Sequence, residues 1–238
     1  MEPFFFGDEG KQLLGLYHPT SGPETDRGVV ICPPILGDYM RTHSCLRQLA
    51  IELADGGYHV LRFDYYGTGD SQGDIQDATI DEWQQNIVSA SDELRAISGV
   101  SRITALGARL GATLAVLAAS KSAAIDKLFL WDPISNGNDY VAALKATYSG
   151  LIDSHEHLPK TEAREALTCS TGYDLKPDLL LEIEKLRLTE LTSQCPAEID
   201  DISEDRLFVD HECNWDTFSE GVILGRLLVP KIVRRMAP

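Results

Sequence analysis

Basic residues are scarce in this chain. Among 238 residues, 21 are Lys or Arg against 37 Asp or Glu, a formal net charge of −16. That balance disfavours nucleic acid and anionic membrane surfaces, so neither is expected as a partner. No apolar run approaches the length of a bilayer span. The N-terminal MEPFFFGDEG carries acids on both sides of its apolar run and no basic segment ahead of it, so it does not read as a signal peptide. Five cysteines (Cys32, Cys45, Cys169, Cys195, Cys213) make an odd set with no Cys-x-x-Cys pair, and metal-finger spacing is missing. The expectation is a cytoplasmic protein with reduced thiols. At 43% hydrophobic residues, the chain has ample material for one sizeable core.

Apolar periodicity organises the first half. Residues 3–6 and 12–18 flank the turn Gly7-Asp8-Glu9-Gly10 and predict an antiparallel hairpin. Val29-Val30-Ile31-Cys32 is a β-branched run typical of a strand buried on both faces, closed by Pro33-Pro34. Leu46, Leu49, Ala50, Leu53 and Ala54 fall at helical spacing and predict an amphipathic helix from Arg41 to Asp55, stopped by Gly56-Gly57. His59 to Phe63 is the next strand, followed by a turn-rich loop from Asp64 to Gly73. Thr79 and Glu82 form a capping-box pattern ahead of a helix that reaches Gly99. Strands at Ile103–Leu106 and Lys127–Trp131 bracket another helix. This alternation predicts a mostly parallel, doubly wound sheet, whose ligands bind at the C-terminal strand ends. Those ends carry Pro33-Pro34, Asp64, Arg109 and Asp132.

The second half is less regular. Residues 138–187 read as mostly helical and are expected to form a lid or cap, with 1–137 and 188–238 as the core. A weak strand is expected at Leu188 to Gln194, another at Arg206 to Asp210, and a closing helix from about Gly225 to Met236. The 11 residues between those two strands are short for a parallel crossover, so one element is expected to be trimmed from the C-terminal end.

The centre of the pattern is Ile103 to Ala119, ITALGARLGATLAVLAA. A strand meets Gly107-Ala108-Arg109-Leu110-Gly111 and then an alanine-rich helix. Gly-x-Ser-x-Gly in that context is the nucleophile elbow of α/β-hydrolases, where flanking glycines permit a tight strand-to-helix turn. Here Arg109 stands in the place of the serine.

The stretches CPPILGDYMRTHSCLRQLAIELADGGYHVLRFDYYGTGDSQG (Cys32 to Gly73), GARLGATL and LFLWDPISNGNDY resemble the exosortase-A-associated hydrolases, in the serine-aminopeptidase-like branch of the α/β-hydrolases. One subgroup of those proteins also carries arginine at the elbow. The resemblance covers roughly the first 140 residues. It implies the α/β-hydrolase fold and an oxyanion hole whose backbone donors fall at Ile35 and Leu110, with Pro33-Pro34 replacing the usual His-Gly. It also implies an acid at Asp132, after the sixth strand, and a histidine at His211. An acid after the seventh strand has no clear counterpart, with Asp200, Asp201 and Glu204 only nearby.

Arginine stays protonated and has no lone pair to offer, so Arg109 cannot be a nucleophile. At a helix N-terminus its charge costs roughly 0.3–1 kcal/mol. Two readings stand side by side. Arg109 is an anion clamp for an ester, thioester or amide, with His211 moving the proton and the acyl group linked to coenzyme A or a carrier protein. Alternatively the elbow is dead and Arg109 pairs with Asp132 or Asp64, leaving a non-catalytic receptor for an acyl or carrier-linked ligand or a protein partner. His43, at the start of the first helix, is read as a ligand contact or a surface residue. Tyr65, Tyr66 and Trp131 are read as acyl-pocket lining or core. Cys32 at its strand end is read as a nucleophile or, more ordinarily, a small buried hydrophobe. His155-Glu156-His157 lacks a third metal ligand, and Gly67, Gly69 and Ser71 lack the Gly-Lys-Ser/Thr of a phosphate loop. No metal and no cofactor are expected.

Overall fold

The computed structural model describes residues 1–23, 25–154, 169–170, 173–202 and 225–237. The strands β1 (Glu2–Phe6) and β2 (Leu13–His18) form the expected antiparallel hairpin. They are followed by β3 (Arg27–Cys32), helix α1 (Gly37–Asp55), β4 (His59–Phe63), helix α2 (Ile80–Ser98) and β5 (Arg102–Ala108). Then come helix α3 (Leu110–Lys121), β6 (Lys127–Trp131) and helix α4 (Gly137–Ser154). A two-residue ladder (Cys169–Ser170 with Tyr173–Asp174) precedes α5 (Pro177–Glu184) and α6 (Leu188–Gln194). Strand β7 (Glu198–Asp201) and helix α7 (Gly225–Met236) complete the described elements.

The seven-stranded sheet runs β1-β2-β4-β3-β5-β6-β7. β2 pairs antiparallel to β4, with Gly15 opposite Phe63, and every pairing from β4 to β7 is parallel. Alternate residues of the central strands face opposite sides, as strand geometry demands. Val30, Leu61, Ile103, Ala105 and Leu128 point toward α2 and α3. Val29, Ile31, Val60, Leu106 and Phe129 point toward α1 and α7. The sheet is therefore covered on both faces, as its apolar β-branched strands predict.

Local signals explain most boundaries. The Thr79 side chain accepts from the Glu82 amide at 3.1 Å, and Gly99 at φ 75° closes α2. Helix α3 is apolar nearly all round because it is buried nearly all round.

Three expectations need correction. Helix α1 starts at Gly37 rather than Arg41, because its first turn follows Leu36 at φ 60° without any side-chain cap to announce it. Leu188 to Gln194 is helical, not a strand: Leu188 and Leu191, three apart, pack on the core while Thr192 Oγ1 donates to the Leu188 carbonyl at 3.0 Å. The strand beside β6 is instead Glu198–Asp201, inside the interval read as a crossover; its EIDD sequence carries no β-branched run, and its place follows from pairing, Leu128 opposite Ile199. The expected strand at 206–210 lies outside the described residues.

Candidate active site

The strand-to-helix corner between β5 and α3 is built by steric exclusion. A Cβ on Gly107 would stand 2.4 Å from Ala112 Cα, and one on Gly111 would stand 2.2 Å from the Pro33 carbonyl oxygen. Both glycines are needed because backbone occupies the space a side chain would take. Gly111 also brings the β3–α1 loop against the start of α3. Arg109, between them, adopts φ 52°, ψ −125°, and its N–H donates to the Trp131 carbonyl at 3.0 Å. A non-glycine residue in that region costs about 1–3 kcal/mol and persists only when its surroundings enforce it.

The Arg109 side chain lies across the C-terminal ends of the strands. One terminal nitrogen donates to Asp132 Oδ2 at 3.1 Å, and Nε faces Asp38 Oδ2 at 3.5 Å. Asp132, just past β6 at φ 47°, is 41% exposed, whereas Asp38 is 13% exposed. The Tyr140 ring of α4 lies 6.0 Å from the guanidinium carbon. Its buried hydroxyl has no hydrogen-bond partner among the described residues. Burial raises the Asp38 carboxyl above the usual carboxylate range, and the Arg109 charge opposes that rise. Two carboxylates thus flank the Arg109 cation, and the Arg41 charge also acts on Asp38.

Arg109 and Asp132 are brought together as the sequence suggested, and Asp38 is the partner it did not offer. Asp38 lies in the turn that periodicity left outside the helix. The available signal was an acid four residues past Pro34, on the loop that faces the corner.

Asp64 does not reach Arg109. Its Oδ1 accepts from the Tyr39 hydroxyl at 2.7 Å and its Oδ2 from the Asp70 amide at 3.1 Å, so it organises its own loop. Gly69 packs on that carboxylate, where a Cβ would fall 2.1 Å from Oδ2. His43 is exposed on α1 with its ring edge-on to Tyr39, 5.7 Å between centroids. Cys32 is fully buried, and burial pushes its thiol pKa up, which leaves it a core residue. Trp131 is buried in the core, while Tyr66 is half-buried with Lys11 over its ring. His211 and His155-Glu156-His157 lie outside the described residues. Among the described residues no group of three or more His, Cys, Asp or Glu is placed to hold a metal ion, and no helix is long and apolar enough to cross a membrane.

Ile35 and Leu110 are both buried beside the corner. Leu110 opens α3, so its N–H belongs to the first turn, which has no intrahelical acceptor. Ile35 and Leu36 form one wall of a cavity of about 240 Å³ that Tyr39, Tyr65, Thr68 and Ile75 complete. The Tyr65 hydroxyl is buried without a hydrogen-bond partner among the described residues.

Strand order, hairpin and glycine-flanked corner together define an α/β hydrolase fold. The chain belongs to the serine aminopeptidase S33 family, whose model matches residues 28–231. Among solved structures it is similar to Est1E from Butyrivibrio proteoclasticus with ferulic acid bound (TM-score 0.58, 19% identity, 83% of this chain and 77% of that one). It is also similar to a Pyrococcus furiosus esterase (TM-score 0.59, 14% identity, 84% and 68%). The proline iminopeptidase of Mycobacterium smegmatis gives a TM-score of 0.54 at 15% identity, over 84% of this chain and 80% of that one. At such identities these likenesses speak for the fold. None of the curated proteins matches this chain.

Proposed function

We propose that this chain is a member of its family without the serine nucleophile, and that it binds an acyl or carrier-linked ligand without cleaving it. The observation that carries this reading is the engagement of Arg109 by Asp132 at 3.1 Å and Asp38 at 3.5 Å. Arg109 stands where the family mounts its attacking hydroxyl, and a guanidinium cannot attack a carbonyl. Nor does it suit an anionic reaction centre, since that centre would meet two carboxylates beside the cation. The arginine-bearing elbow is the feature shared with the exosortase-A-associated subgroup.

The ligand's acyl portion occupies the cavity between Ile35, Leu36, Tyr39 and Tyr65, with residues 138–187 as its lid. A thioester of coenzyme A or of a carrier protein is the ligand class this suits: a short apolar chain ending at a carbonyl beside the Ile35 and Leu110 amides. The competing reading keeps Arg109 as an anion clamp and His211 as the proton carrier, and requires the guanidinium to leave both carboxylates.

Calorimetry with acetyl- and octanoyl-coenzyme A, alongside chromatography of the products, separates the two. Binding without free thiol release, weakened when Ile35→Trp fills the cavity, is the expected result. Thioester cleavage that disappears in Arg109→Ala and in His211→Ala overturns the proposal in favour of the clamp.

A further inference from the structure

A second polar site lies on the α1 face of the sheet, toward the end away from Arg109. Arg62 on β4 is 7% exposed. Buried guanidinium groups are ordinarily paired with carboxylates. Here Nε donates to Nε2 of His18 at 3.3 Å, and a terminal nitrogen lies 3.6 Å from the Met1 sulfur. Among the described residues no carboxylate lies within ion-pair distance of Arg62. Asp64 is two residues along, but its carboxylate oxygens accept from Tyr39 and from the Asp70 amide.

This contact determines the state of His18. Arginine has donors and no acceptor, so Nε2 of His18 must receive the bond and the ring's proton must sit on Nδ1. Burial first, and then the surrounding positive charge led by Arg62, lowers the His18 pKa to about 4. The ring is neutral at physiological pH and presents an N–H donor, although the residue is only 4% exposed.

His18 lines a cleft of about 380 Å³ between the end of β2 and the C-terminal half of α1. Arg47 and Ile51 of α1 form the facing wall, with Pro19 and Ser21 beside His18. Arg47 makes no hydrogen bond or ion pair among the described residues. The one acid in the lining is Asp55, which already accepts from the Ser21 hydroxyl. In a protein of net charge −16, one arginine and a ring N–H line this cleft, a second arginine stands behind the ring, and a single acid shares the lining.

We propose that this cleft is an oxyanion-binding site, in which Arg47 and the Nδ1–H of His18 hold a carboxylate or phosphate group. Arg62 touches His18 rather than the ligand; it is a positioning residue that fixes the tautomer and adds charge from beneath. The planar fork of Arg47 suits either oxyanion, and Ile51 and Pro19 offer apolar surface to whatever carries it. The site is independent of the corner and of the ligand proposed there.

The test is a nuclear magnetic resonance titration of the full chain with inorganic phosphate and, separately, with acetate, each against sodium chloride at matched ionic strength. Saturable shifts of the His18 ring and Arg47 side-chain resonances are expected, and the tighter of the two probes identifies the ligand's headgroup. Arg47→Ala, at an exposed position that leaves the fold intact, is expected to weaken binding at least tenfold. The exposed Lys121→Ala, a charge control, is expected to leave it unchanged. Arg62→Met is expected to move the His18 pKa from about 4 toward 6.5, whereas Arg62→Lys, which keeps the charge, is expected to leave it low. Linear shifts without saturation, equal effects of Arg47→Ala and Lys121→Ala, or an unmoved His18 pKa would each overturn the proposal.

Discussion

Replacing Arg109 with Met removes the charge and keeps most of the side-chain length. Two carboxylates then lose their partner, and they do not lose it equally. Asp132 is 41% exposed and water takes over its solvation, so its share is less than about 1 kcal/mol. Asp38 is 13% exposed, and leaving such a group uncompensated costs about 2 kcal/mol, below the ~3–5 kcal/mol of a fully buried pair. Removing a cation from the start of α3 returns roughly 0.3–1 kcal/mol. The net loss is about 2 kcal/mol, or about 4–8 °C in melting temperature for a chain of this size. Asp38→Asn in the same protein removes the stranded charge and is expected to recover at least half of the loss. The pH dependence has a definite sign. Burial raises the Asp38 carboxyl, and a carboxyl raised in the folded state favours folding at low pH and opposes it as pH rises through its folded value. The Met variant's deficit therefore shrinks as the solution is acidified. Urea unfolding followed by circular dichroism, on both single variants and the double variant, measures the coupling. If Asp38→Asn costs the same with Arg109 as with Met, the pair is not coupled and the energetic account of the corner is wrong.

Three further outcomes follow from the same structure. His18 has its pKa lowered to about 4 from 6.5, so the folded state resists the proton that the unfolded chain accepts. Stability is then lost as pH falls from about 6.5 to 4, by up to about 3 kcal/mol, and acid unfolding of His18→Gln should show a flatter profile in that window. Gly111→Ala would place a methyl 2.2 Å from the Pro33 carbonyl oxygen and 2.4 Å from that of Cys32. A loss of at least about 2 kcal/mol is expected in thermal melts, and a neutral result would refute the close packing of the corner. Tyr39→Phe removes the donor to Asp64 at 2.7 Å. A loss of about 1–2 kcal/mol is expected, with faster hydrogen exchange at the Asp70 amide; unchanged exchange there would separate Asp64 from the order of its loop.

Much of the architecture was legible because it rests on short-range rules. The β-branched run of β3 announced a strand buried on both faces, and Thr79 and Gly99 marked the ends of α2. The glycines at 107 and 111 located the corner. What escaped the sequence depends on contacts between distant residues. Strand β7 carries Glu198, Asp200 and Asp201, a composition that argues against a strand, and joins the sheet because β6 offers an unpaired edge. Helix α6 has only Leu188 and Leu191 to mark a face, a three-residue spacing that suits a helix but is too short a pattern to announce one. Asp38 went unnoticed for a related reason. Its turn precedes the periodic part of α1, and only the packing of Gly111 on Pro33 brings that turn under Arg109. The pairing of Arg109 with Asp132 was one of the readings open at the outset, while Asp64 proved committed to Tyr39 and Asp70.

The main-chain pose of residue 109 is imposed by its neighbours: close-packed backbone at 107 and 111 leaves the intervening peptide no other course. The presentation of that side chain is thus a property of the frame and independent of what is mounted there. Serine, cysteine or an unnatural probe introduced at 109 would inherit the same backbone pose, which makes this corner a ready mount for introducing, or reporting on, new chemistry.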